Sequence, residues 1–145
     1  MNPWPAAIGI LVRLILAGVF VWAGAHKALH PLLFALDLEA YRLLPAALIL
    51  PIAYYLPWLE IVTGLSLFVP NLRRAALGLA VSLLLVFTLM LGIAWLRGIS
   101  IQCGCFGSQS GGATDLAWAI GRNLGLIGAA IWLGILPDRR RAFAA

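Results

Sequence analysis

Charge is what this sequence has least of. Of its 145 residues, 10% are Asp, Glu, Lys or Arg, where a soluble domain carries roughly 25%. That scarcity excludes an ordinary water-soluble domain, and the length leaves no room for a separate soluble catalytic domain beside a membrane bundle. Cysteine is also scarce: Cys103 and Cys105 are the two in the chain, which limits thiol chemistry to one pair. The basic residues give a net charge of +5 but are not gathered into a patch, so nucleic acid is not an expected partner. The first apolar run has no Lys or Arg at its start, and Arg13 interrupts it. Although Ala23-Gly24-Ala25 resembles a cleavage site, these features favour a retained helix over a removed signal.

What is present is apolar. Hydrophobic residues make up 63% of the chain and the mean hydropathy is +1.03. Four segments reach the roughly 20 residues needed to cross a bilayer: residues 6–25, 46–69, 75–96 and 116–136. The expected fold is therefore all-α, a polytopic four-helix membrane bundle forming one domain over residues 1–145. An even number of spans puts both termini on one side. Arg73, Arg74, Arg139, Arg140 and Arg141 fall on that side, against Lys27, Arg42 and Arg97 on the other. The positive-inside rule then predicts cytoplasmic termini in a bacterial inner membrane. Residues 26–44 and 97–115 become outer loops on the periplasmic face.

Trp4, Trp22, Trp95, Trp118 and Trp132 lie near segment ends, as an interfacial belt requires, whereas Trp58 reads as internal packing. Gly121 and Gly125, four apart, read as a site of close helix contact.

Three charges fall within spans: Arg13, Glu60 and Arg122. Such residues are costly in lipid and face a bundle interior. Counted from the outer ends, Arg13 lies about 18 Å deep, Glu60 about 21 Å and Arg122 about 10 Å. Level matching favours a Glu60–Arg13 pair, unless Pro51 or Pro57 begins or kinks the second helix and raises Glu60 to Arg122. The pair either fixes the helix arrangement or shapes a polar pocket for a proton, a quinone or a thiol substrate.

The run Gln102-Cys103-Gly104-Cys105-Phe106-Gly107 carries the most chemistry. A disulfide across one glycine closes a small ring, whose strain makes it easy to reduce. Such a bridge closes almost no loop, so it suits redox exchange better than structural stapling. Thr114-Asp115 downstream reads as an N-cap for the fourth span, and a helix start favours a nearby thiolate. Two readings compete with it: a Cu(I) or Zn site completed by His26 and His30, which stand four residues apart, and two incidental loop thiols.

The chain also resembles a known family. Arg13 to Lys27, with Ala23-Gly24 before Lys27, is similar to the first helix of DoxX-like membrane proteins. Tyr41-Arg42-Leu43-Leu44-Pro45, then Leu56-Pro57-Trp58-Leu59-Glu60 and Gly64, is similar to their second. Cys103-Gly104-Cys105-Phe106-Gly107 with Arg122-Asn123-Leu124 resembles the methylamine-utilisation MauE branch. That resemblance implies a four-helix membrane protein needed for maturation of the disulfide-rich methylamine dehydrogenase small subunit, working with a thioredoxin-like periplasmic partner. It implies Cys103 and Cys105 as the redox pair and Arg13, Glu60 and Arg122 as bundle-facing residues. Membrane disulfide oxidases relay electrons between two cysteine pairs to a quinone, and this chain has one pair. A non-catalytic scaffold for the thioredoxin-like partner and a metal-handling protein are the alternatives to thiol–disulfide exchange.

Overall fold

The computed structural model describes residues 4–98 and 113–135. Five helices occur among them: α1 (Trp4–Leu29), α2 (Pro31–Ala40), α3 (Ala46–Ser66), α4 (Arg73–Leu96) and α5 (Ala113–Ile135). Four of these, α1, α3, α4 and α5, are long and apolar enough to span a membrane. The all-α polytopic bundle expected from hydropathy is therefore the fold.

The four long helices pack as a ring in the order α1, α3, α4, α5, with α5 returning to α1. Each described side chain that reaches the interior adds to a run of clusters along the axis. Leu16, Ala17, Leu67, Ala76, Leu77, Ala130 and Leu133 close one end. Phe20, Ala80, Leu83, Leu84 and Ile127 follow. Leu91, Ala94 and Ala119 lie toward the other end with Tyr41 against them. Buried hydroxyls are satisfied within their own helices, Thr63 donating to the Leu59 carbonyl (2.7 Å) and Thr88 to that of Leu84 (2.6 Å), as a solvent without hydrogen bonds demands.

The segment read as the first outer loop is largely helical. α1 continues to Leu29, and after a break at His30 the chain re-enters helix with Pro31 in the first turn, where its missing N–H costs nothing. α2 lays Phe34, Ala35 and Leu38 on Ile49 and Ala53 of α3. It ends at Ala40 with Tyr41 as C-cap, followed by Arg42, whose positive φ of 50° is unusual outside glycine. α4 ends in the corresponding way at Gly98, φ 64°, where glycine carries no such penalty.

Pro51 and Pro57 neither begin α3 nor break it; both lie inside one continuous helix. α1 and α3 approach closely through two glycines. A Cβ on Gly24 would stand 2.7 Å from the Pro57 carbonyl oxygen, and one on Gly64 would stand 2.9 Å from Val21 Cγ2 and 3.0 Å from the Ala17 oxygen. Gly121 and Gly125 do not play the packing role their spacing suggests, because a Cβ on either meets nothing within 4 Å. Trp58 is likewise not internal. It is 62% exposed and lines an outward-facing apolar groove with Pro51, Tyr55 and Leu59. Thr114 and Asp115 fall inside the first turn of α5, which starts at Ala113, so they are not its N-cap.

Candidate functional site

The α1–α3 glycine contacts fix a register in which the end of α1 is level with about residue 54 of α3. α3 therefore begins about 12 Å beyond the point where α1 stops. This stagger brings Lys27, near the end of α1, beside Glu60, deep in α3. Lys27 Nζ donates to Glu60 Oε1 at 2.6 Å, and the two side chains are 3% and 4% exposed. Two rings flank the ammonium, Phe34 at 5.1 Å and Phe87 at 4.3 Å from Nζ to centroid, and their π faces favour a desolvated cation.

Glu60 is thus paired, but with Lys27 and not with Arg13. Depths counted from two helix ends are comparable only when the ends share a plane, and these do not. Arg13 lies about 20 Å along α1 from Lys27, one turn from the Leu16 and Ala17 cluster at the opposite end. Lys27 also leaves the tally of outer-face charges, since it is inside the bundle.

The pair borders a cavity of about 70 Å³ to which all five helices contribute. Its polar lining is Lys27 from α1, Asp37 from α2 and Tyr41 just after it, Glu60 from α3, and Arg122 and Asn123 from α5; the α4 lining is apolar. Glu60 Oε2 is buried with no hydrogen-bond partner among the described residues. Buried acceptors in that state are costly, and the volume is enough for a few waters. Burial pushes the Asp37 carboxyl above its ordinary range, and the Lys27 ammonium partly offsets that rise.

Of the bundle charges read from sequence, Glu60 and Arg122 come together here and Arg13 does not. Lys27, Asp37, Tyr41 and Asn123 complete the site. The sequence signal for three of them was the motif context, since Lys27, Tyr41 and Asn123 all stand in the stretches that carry the family resemblance. Cys103 and Cys105 lie outside the described residues, on the segment that joins the end of α4 to the start of α5. His26 and His30 stack edge to face with centroids 5.5 Å apart. No group of three or more metal-ligating side chains occurs among the described residues.

Four spanning helices around a buried ion pair define a multi-pass membrane protein whose polar centre is enclosed within its bundle. Residues 5–136 match the family model of methylamine utilisation protein MauE. The chain belongs to the MauE family. It is 36% identical over 129 residues to the methylamine utilization protein MauE of Methylorubrum extorquens (strain AM1), covering 87% of this chain and 68% of that protein. It is 33% identical over 98 residues to the MauE of Methylophilus methylotrophus, covering 67% and 52%. To that of Paracoccus denitrificans it is 35% identical over 122 residues, covering 83% and 64%. The chain thus spans between about half and two thirds of the length of these relatives. No solved structure matches it.

Proposed function

We propose that this protein supports thiol–disulfide exchange in the redox maturation of exported proteins, with Cys103 and Cys105 as the reacting pair. The observation that carries the reading is the Cys-Gly-Cys spacing on the segment between two spans. In the exchange, a thiolate of a partner dithiol attacks one sulfur of the Cys103–Cys105 disulfide. A mixed disulfide forms, and the other cysteine leaves as a thiolate. The partner's second thiolate then attacks the partner's first sulfur and displaces the bound cysteine as a thiolate, so the partner is oxidised by two electrons and this pair is reduced by two. The reverse sequence reduces the partner.

The partner suited to this step is a thioredoxin-like periplasmic protein, and the end substrate an exported disulfide-rich protein. The names of the relatives suggest the methylamine-utilising system as the setting. The protein sits in the bacterial inner membrane with both termini cytoplasmic and the cysteine segment periplasmic. Burial of Lys27 supports that orientation, because the basic residues flanking the spans then stand five against two in its favour. The Lys27–Glu60 pair and the cavity beside it serve as a fixed polar centre within the bundle.

Single substitutions test the exchange. With Cys103→Ser or Cys105→Ser, the remaining cysteine accumulates a mixed disulfide with the partner, visible as a reducible higher-mass band in cells. A non-catalytic scaffold gives no such band, and the double variant still supports maturation.

A further inference from the structure

We propose that α2 is immersed in lipid, with Leu32, Leu33 and Leu36 facing the acyl chains of the leaflet at that end of the bundle. This inference is independent of the cysteine chemistry. It begins from length: the 21 residues of α3 reach about 31 Å, matched to a hydrocarbon core of about 30 Å, so α3 needs nearly all of itself to cross. The buried face of α2 packs on Ile49 and Ala53. These lie only about 4 and 10 Å in from the first residue of α3, at a depth inside the hydrocarbon. Tyr41, just after α2, packs with Leu91, Ala94 and Ala119, which belong to the other two spans that extend past α1. α2 thus fills the height that α1 leaves short.

Its opposite face is apolar too. Leu29, Leu32, Leu33 and Leu36 are 76%, 64%, 60% and 60% exposed. Leu29 closes α1 before the break at His30; on α2, the spacing of three and four back from Leu36 to Leu33 and Leu32 places those three in one stripe, which Glu39 ends in the last turn. The stripe continues the lipid-facing surface of α3, where Leu50, Tyr54 and Tyr55 are exposed. Of the two acidic residues of α2, Asp37 lines the inner cavity, and Glu39 lies in the last turn, next to the chain's exit. At the deep end of α2 the open donors are few, because Pro31 carries no N–H and the Phe34 N–H donates to the His30 carbonyl (3.1 Å). The surface exposed to solvent on an outer loop would instead carry four leucines with no cover.

The test uses the full-length chain with Cys103→Ser and Cys105→Ser, reconstituted in excess phosphatidylcholine–phosphatidylglycerol vesicles. Single spin labels are placed through Leu32→Cys, Leu33→Cys, Leu36→Cys and Glu39→Cys. Labels at the three leucine positions are expected to collide with oxygen and to be shielded from a water-soluble nickel chelate, with Glu39→Cys showing the opposite preference. In the same vesicles, freeze–thawed with the reagent so that both faces are reached, a membrane-impermeant maleimide should label the three positions at least about tenfold more slowly than Glu39→Cys, because a charged reagent is excluded from hydrocarbon. Nickel access at the three positions would overturn the proposal by putting α2 in water. Shielding from both reagents would also overturn it, since another protein surface would then cover the stripe.

Discussion

Lys27 Nζ lies 2.6 Å from Glu60 Oε1, in a bundle where both side chains are almost completely buried. The contact joins the end of α1 to the middle of α3, across the stagger that α2 fills. Removing one charge leaves the other without its partner in a low-dielectric interior, which costs about 3–5 kcal/mol. Lys27→Met and Glu60→Gln should each lower thermal stability in detergent by an amount of that order. The double variant Lys27→Met with Glu60→Leu should recover most of the loss, because no ion is then stranded. Equal instability of the double variant would mean that the pair contributes more than mutual neutralisation.

Gly24 and Gly64 should be intolerant of a methyl group. Gly24→Ala and Gly64→Ala place Cβ within 3 Å of α3 or α1 atoms, and overpacking of this kind costs about 1–3 kcal/mol. Gly121→Ala and Gly125→Ala meet open space and should be neutral or stabilising by up to about 1 kcal/mol from helix propensity. Parallel melting curves of the four variants check the contrast.

Asp37 sets a pH dependence with a definite sign. Its carboxyl is raised from an ordinary 3.8, chiefly by burial and against the pull of Lys27. The folded state then holds the proton more tightly than the unfolded one. Relative to Asp37→Asn, the wild type should lose stability as pH rises from about 3.8 through the raised value and stay level above it. At neutral pH, Asp37→Asn should melt at the same temperature or higher. A lower melting temperature at neutral pH would show that the carboxylate is held by a favourable contact outweighing its desolvation.

The spans were legible because about 20 apolar residues in a row have few other uses. Their ends were less so. α2 has two acidic residues among its ten and lies between Lys27 and Arg42, which reads as a charged outer loop until Asp37 is seen to face a cavity. The Glu60 partner was missed for a related reason: the height offset between α1 and α3 is a property of packing, set by Gly24 and Gly64 on separate helices. Sequence spacing within a single helix instead pointed to Gly121 and Gly125. Trp58 shows the same limit, since in a membrane a large aromatic side chain is no better buried in protein than in lipid. The family motifs did carry Lys27, Tyr41, Glu60, Arg122 and Asn123, five of the six polar residues that line the cavity.

On the proposed function, Cys103 and Cys105 cycle between dithiol and disulfide. Acid-trapped alkylation in intact cells, before and after a pulse of dithiothreitol, measures this directly, with the metal content of the purified protein assayed alongside. The expected result is a pair oxidised at rest, reduced by the pulse and reoxidised within minutes, in protein free of bound Cu or Zn. Thiols that stay reduced throughout would contradict it: with bound metal they would assign the cysteines, and with them His26 and His30, to a metal site, and without metal they would leave the protein a scaffold.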